Sequence, residues 1–334
     1  MEIGSEILGE AGVKKPLSQF CGLYKDTKNH TTERQDDRRK YILKQQKLKR
    51  KECFDTGRQC LEFVENLQAL QEKSRNKTVR KFEGFLQLSE WMTERPEDLN
   101  SWYLVPCPKG RRCVVVAADH CTKEYNNSGR LRSKFHSNLP GDKNNSVSIL
   151  DCVFDEHLQE YWVLDVIAYN NQDYVDCDAE FRFYWIRSKL EEEQLSTVGG
   201  RNNYAFKAIP FYDCANEMSI ESCLLMYPQF DGDTPALDGF LFYHKESSYV
   251  KGKTPLVCWL FAFMIPEVLH FDTINFNYLS QKPENYVDYQ SFIVQFDMDL
   301  AKKKKRHRRS HGKQIKNDME VAVEDLSAVE TIED

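Results

Sequence analysis

Eleven cysteines and eight histidines are the side chains best suited to metal or nucleophilic chemistry in this 334-residue chain. Their spacing brings them into no familiar set. There is no C-x-x-C pair and no Cys/His group at zinc spacing, and the cysteine count is odd. Reduced thiols, no metal and no bound cofactor are the expectation. Five tryptophans are the next candidates, because an indole is either core or a platform for a flat ligand. Trp162 and Trp185 lie inside dense apolar patterns and are assigned to the core.

Charge is the third resource, and it is partitioned. Residues 1–80 hold 18 Lys/Arg against 12 Asp/Glu. Residues 300–317 hold nine bases and no acid, and 318–334 hold seven acids and no base. The intervening 81–299 carry 19 bases against 33 acids. A middle region that acidic repels phosphate over its whole surface, so any RNA must be bound through a small specific pocket. The ends and the middle therefore have different partners.

The elements that must position these groups follow from pattern. Between Asp36 and Lys51 good helix formers follow an acidic start, which suits a helix N-terminus. Its apolar positions, Ile42, Leu43, Leu48 and Phe54, are too sparse for a core-facing stripe. The expectation is a long basic helix not buried in its own domain. It would serve either as an arm for RNA or as a basic ligand for an acidic protein groove. From Leu86 onward short β-rich runs dominate: 102–105, 113–117, 148–154, 161–167, 181–186 and 239–243. Helical patches are expected at 86–94, 180–194 and 216–226, the second overlapping an aromatic run. The fold class is α+β, mainly antiparallel sheets with flanking helices. No apolar run reaches the roughly 18 residues of a membrane span, and the acidic, glycine-interrupted start is not a secretory signal. The segment 302–309 reads alone as a nuclear localisation signal or a non-specific phosphate contact.

Four local patterns resemble the nucleotidyltransferase fold of RNA-capping enzymes and ligases: Cys107-Pro108-Lys109-Gly110-Arg111-Arg112, Ile149-Leu150-Asp151, Leu237-Asp238-Gly239-Phe240-Leu241-Phe242 and Leu256-Val257-Cys258-Trp259-Leu260. In those enzymes the first motif is K-x-D-G-x-R, and its lysine attacks a nucleotide phosphate. Here Cys107 occupies the nucleophile position, and Cys258 and Leu260 stand where the last motif has phosphate-binding lysines. Nucleotidyl transfer needs an amine nucleophile and a neutralised phosphate. The expectation is a retained fold without the chemistry, hence not an enzyme.

A wider set of runs resembles the snurportins. It includes Pro16-Leu17-Ser18-Gln19-Phe20, Arg38-Arg39-Lys40, Gln46-Lys47-Leu48-Lys49-Arg50, Leu88-Ser89-Glu90-Trp91, Ser128-Gly129, Phe181-Arg182-Phe183-Tyr184-Trp185 and Thr254-Pro255-Leu256-Val257-Cys258-Trp259. The resemblance implies an import adaptor that carries capped small nuclear RNA to importin-β, shuttling between nucleus and cytoplasm with no membrane step. It divides the chain into a possible export-receptor motif at 1–14, an importin-β-binding arm and helix at 15–70 and a linker at 71–84. A cap-binding domain at 85–285 follows, then a tail without fixed structure at 286–334. It places the trimethylguanosine cap at Leu88, Ser89, Trp91, Arg111, Arg112, Cys113, Asn127 and Trp259, with Ser89 on the guanine edge and Arg111 and Arg112 on the phosphates. Leu17, Arg38, Arg39, Lys40, Lys47, Lys49, Arg50 and Arg58 would meet importin-β, and Ile3, Ile7 and Leu8 an exportin. Asn127 departs from the family's lysine, and Arg130 or Arg132 would supply the missing charge. The rivals are an active capping-type nucleotidyltransferase and a basic-armed RNA scaffold indifferent to the cap.

Overall fold

The computed structural model describes residues 34–55, 82–230 and 235–303. Helix α1 (Gln35–Asp55) precedes a two-sheet α+β body. The first sheet has the order β1-β12-β11-β2-β10, formed by β1 (Gln87–Trp91), β12 (Gly252–Leu260), β11 (Leu237–His244), β2 (Trp102–Pro108) and β10 (Tyr212–Asp213). The second runs β5-β4-β3-β6-β7-β8. Its strands are β3 (Arg111–Ala118), β4 (Cys121–Asn126), β5 (Leu131–Phe135), β6 (Ser148–Asp155), β7 (Glu160–Tyr169) and β8 (Gln172–Asp173). A further strand, β9 (Ala205–Ala208), pairs with β7 in parallel. Apart from that pair and β1 with β12, every strand pairing is antiparallel. The sequence-based fold class stands.

Strands β6 and β7 are buried along their whole length and β3 almost so, which explains their near-continuous apolar runs. Helix α2 (Ala179–Glu192) resolves the ambiguity of the aromatic run at 181–186 in favour of helix. Asp178 caps it by accepting from Phe181 N, and Ala179, Phe183, Ile186 and Leu190 form the buried stripe at three- and four-residue spacing. Helix α3 (Glu217–Leu225) lies where 216–226 predicts it. Short helices α4 (Ile265–Leu269) and α5 (Phe276–Leu279) follow β12. No helix among the described residues is long and apolar enough to cross a membrane.

Three expectations are corrected. The patch 86–94 is not helical: its Leu86, Leu88, Trp91 and Met92 spacing mimics a helix, but β12 pairs with the backbone, and Met92 N donates to Trp259 O at 3.1 Å. The tail does not begin at 286, because 289–303 form a helix, α6, whose Ile293 and Phe296 are buried. Helix α1 is not held apart from the domain. Its positions 35, 39, 42, 46 and 50 are buried or half-buried, one helical stripe laid against the first sheet. That stripe is made of Gln, Arg and a single Ile, so an argument from apolar spacing misses it.

Candidate functional site

The two expected site tryptophans, Trp91 and Trp259, are brought together by a parallel strand pair at a sheet edge. Ser89 pairs with Thr254, the register then jumps, and Glu90 faces Cys258 while Trp91 faces Trp259. Pro255 sits in the interrupted stretch, where a residue with no N–H to give the ladder is tolerated. Alternation sends Trp91 and Trp259 to one face of the sheet and Glu90 and Cys258 to the other. Helices cover both faces.

On the tryptophan face, Trp259, expected among the cap residues, is fully buried. A Cβ on Gly239 of β11 would lie 2.5 Å from its ring, so only glycine lets the strand approach the indole this closely. Trp91 is 7% exposed. Its Nε1–H donates to Asp297 Oδ1 of α6 at 3.1 Å. Phe296, also on α6, stands perpendicular to it at 5.4 Å, and Phe261 is tilted at 5.9 Å. Ser89 is buried and Leu88 half-buried on the same strand.

The other expected cap residues lie on the second sheet. Arg112 is 1% exposed and forms a two-pronged ion pair with Asp151, at 2.9 and 2.7 Å. Burial alone would lower this guanidinium, but the Asp151 charge and hydrogen bonds hold it well above its usual value. Its fork is already taken, so the expected phosphate contact is corrected to a structural pair. Tyr249 donates to Asp151 at 2.8 Å and accepts from Gln87 N of β1 at 3.0 Å, which ties this pair to the tryptophan strand. Cys113 is buried in the second sheet, where burial pushes its thiol up. Arg111 is held by Glu124 at 2.9 Å and Glu156 at 2.7 Å, above the Phe154 ring. Asn127 sits in a turn, where its carbonyl accepts from Gly84 N at 3.2 Å. Arg130 and Arg132, just beyond it, are exposed. The sequence thus places in one site what the structure divides between two sheets.

On the opposite face, α1 reaches the same strand. Arg38 pairs with both oxygens of Glu90 at 2.8 and 2.6 Å. Burial works to raise the Glu90 carboxyl, yet the paired Arg38 leaves it below the usual carboxylate range. Gln35 donates to the Trp91 carbonyl at 2.7 Å and accepts from Thr93 N at 3.1 Å. Arg39 is buried over the Trp102 ring, its guanidinium 3.6 Å from Cys258 Sγ. Farther along, Lys47 meets Glu246 at 2.6 Å, Lys49 meets Asp176 at 2.9 Å and Arg50 donates to Ser248 Oγ at 2.7 Å. Lys40 bridges Asp36 and Glu97. Six of the eight residues expected to meet importin-β therefore contact this domain or its flank. Leu17 and Arg58, and the export-motif residues Ile3, Ile7 and Leu8, lie outside the described residues.

Sequence reasoning missed Glu90, Gln35, Phe296 and Asp297. A signal for α6 was present, since Tyr289, Phe292, Ile293 and Phe296 recur at three- and four-residue spacing. A cleft lined by His136, Gly200, Arg201 and Asn203 contains none of the expected residues.

Similarity to solved structures is low in both sequence and geometry. "Pmar-Lig_PreS3" is 9% identical with a TM-score of 0.38, over 54% of this chain and 46% of that one. A mycobacterial DNA ligase D complexed with ATP and MES is 12% identical at 0.35, over 55% and 61%. The ligase domain of M. tuberculosis LigD is 9% identical at 0.36, over 54% and 60%. The match thus spans about half to three-fifths of each ligase. The family model described as the Snurportin1 m3G cap-binding domain matches residues 85–262, the span from the start of β1 through both tryptophans to the end of β12. With more than half of its length matched, the chain belongs to the snurportin family.

Proposed function

We propose that this protein binds the trimethylguanosine cap of small nuclear RNA and links that cargo to importin-β. The observation that carries the reading is the family match over the domain that holds Trp91 and Ser89. A guanine methylated at N7 is a flat cation, and an indole attracts it by stacking and by its ring quadrupole. Trp91 is the platform, since it lies on the edge strand, whereas Trp259 supports it from the core. Ser89 serves the guanine edge. Phosphate contact passes from the engaged Arg112 to the exposed Arg130, just past the turn that holds Asn127, and Arg132 of β5.

The basic arm and α1 bind importin-β, whose acidic groove would compete with Glu90, Glu97, Glu246 and Asp176 for the same cations. Residues 1–14 serve an exportin, and the protein shuttles between nucleus and cytoplasm. It is an adaptor and not an enzyme: the nucleophile position is the buried Cys107, and a thiol there offers no amine for a nucleotidyl intermediate.

The test is competition. Free trimethylguanosine cap dinucleotide should displace capped RNA from the protein, and removal of residues 1–70 should abolish importin-β capture while cap binding persists. RNA affinity unaffected by the free cap would overturn the cargo assignment. A truncated chain that still captured importin-β would overturn the role of the arm. Covalent labelling by GTP would overturn the non-enzymatic reading.

A further inference from the structure

Helix α6 closes over the tryptophan face and also packs Phe292 against Phe261 at 5.9 Å and Phe263 at 5.6 Å. Ile293 and Phe296 are its buried residues, and Val294 and Met298 on its outer side are 44% and 47% exposed. Besides the Asp297–Trp91 hydrogen bond, its first turn is held by Tyr289, whose hydroxyl donates to Thr93 O at 3.0 Å and whose N–H donates to Glu267 at 3.1 Å. The inner wall of the contact is of a different kind. Phe261 follows β12 directly and stacks on Phe263 at 5.4 Å within the main core.

We infer that α6 is a displaceable cover seated on Trp91, and that α6 and the cap base occupy the same indole surface in turn. This rests on the proposed cap-binding role of Trp91. A base stacks only on an open ring face, and Trp91, 7% exposed, offers none while α6 is seated. Of the two aromatic neighbours named above, Phe261 cannot leave without opening the sheet core, whereas Phe296 leaves when a single helix lifts. Asp297 adds an electrostatic bias, because its carboxylate on the indole N–H repels an approaching phosphate chain. The described part of the helix reaches Lys302 and Lys303, the first cations of the 302–309 basic run. Capped RNA that lifts α6 therefore meets positive charge on the segment it displaces. The apparent cap affinity of the intact chain is the intrinsic affinity reduced by the uncovered fraction.

The test uses the full chain carrying Phe296→Ala with Asp297→Ala, and separately Asp297→Asn as a milder change that keeps the packing. Two readouts are taken: affinity for trimethylguanosine cap dinucleotide, and acrylamide quenching of tryptophan fluorescence without ligand. The double variant is expected to bind the cap about tenfold tighter. Its quenching should rise, and that rise should vanish in a Trp91→Phe background. Asp297→Asn should move both readouts in the same direction by less. Unchanged or weaker cap binding by the double variant would overturn the cover, weaker binding meaning that α6 belongs to the site itself. If neither chain bound any cap, the cap-binding proposal would fall, and quenching would still decide the cover: no increase would overturn it.

Discussion

The two faces of the β1–β12 edge carry helices of opposite chemistry. On the Trp91 side, α6 is held mainly by rings, with Phe296 and Phe261 against the indole and Phe292 packed on both of them. On the Glu90 side, α1 is held by a guanidinium fork, a buried glutamine amide and a row of exposed ion pairs. An aromatic contact loses water and gains little direction, so it tolerates exchange for another flat ring. A charged contact is directional and strong only where water is excluded, so it yields to a competitor that presents more acidic groups. Under the proposed function, the edge exchanges a helix for a base on one side and a sheet for an acidic groove on the other.

That contrast has graded consequences. Trp91→Ala should have the largest effect, removing a buried indole from the aromatic side and lowering stability by about 3 kcal/mol in thermal or denaturant unfolding. In the folded variant, cap affinity should fall about 10- to 100-fold. Glu90→Arg should cost about 2 kcal/mol and release α1, seen as lost amide-exchange protection over 35–50. Adding Arg38→Glu should restore protection, since a charge pair can be reversed where an aromatic contact cannot. Lys47→Ala should change stability by no more than about 0.5 kcal/mol, because that pair is half-exposed on both sides.

The smallest effect is on pH dependence. Burial raises the Asp173 carboxyl to about 6, and Lys49 of α1 lowers it slightly. A folded-state value above the unfolded one means that the folded chain holds this proton longer. Stability from this group is fully present below the ordinary carboxylate range and is lost as pH rises through about 6. Release of α1 withdraws the Lys49 charge, so a carboxyl titration of the Glu90→Arg chain should place the Asp173 midpoint higher than in the parent. A midpoint that stays fixed would separate α1 from this group.

How much of this was legible in the sequence depended on which forces set each element. Strands buried on both faces, such as β6 and β7, announce themselves by continuous apolar runs. Helix α2 was ambiguous because aromatic residues favour strands, and the Asp178 cap with its four-residue spacing decided it. Strand β1 was misread because an edge strand takes its identity from a partner more than 150 residues away, which local spacing cannot reveal. The docking of α1 escaped because Gln35, Arg39 and Gln46 read as solvated polar positions until Glu90, Cys258 and Ser248 stand opposite them. Arg112 was assigned to phosphate because a motif fixes residue types without fixing partners, and Asp151 had already claimed its fork.

The most direct test of the account is a fluorescence titration of the full chain with trimethylguanosine and monomethylguanosine cap dinucleotides, with unmethylated GpppG as control. Saturable quenching by the methylated caps, absent with GpppG and lost in Trp91→Phe, is the expected result, because only an N7-methylated base brings a cation to the indole. No quenching by any cap, or equal quenching by GpppG, would contradict the assignment of this edge to the cap.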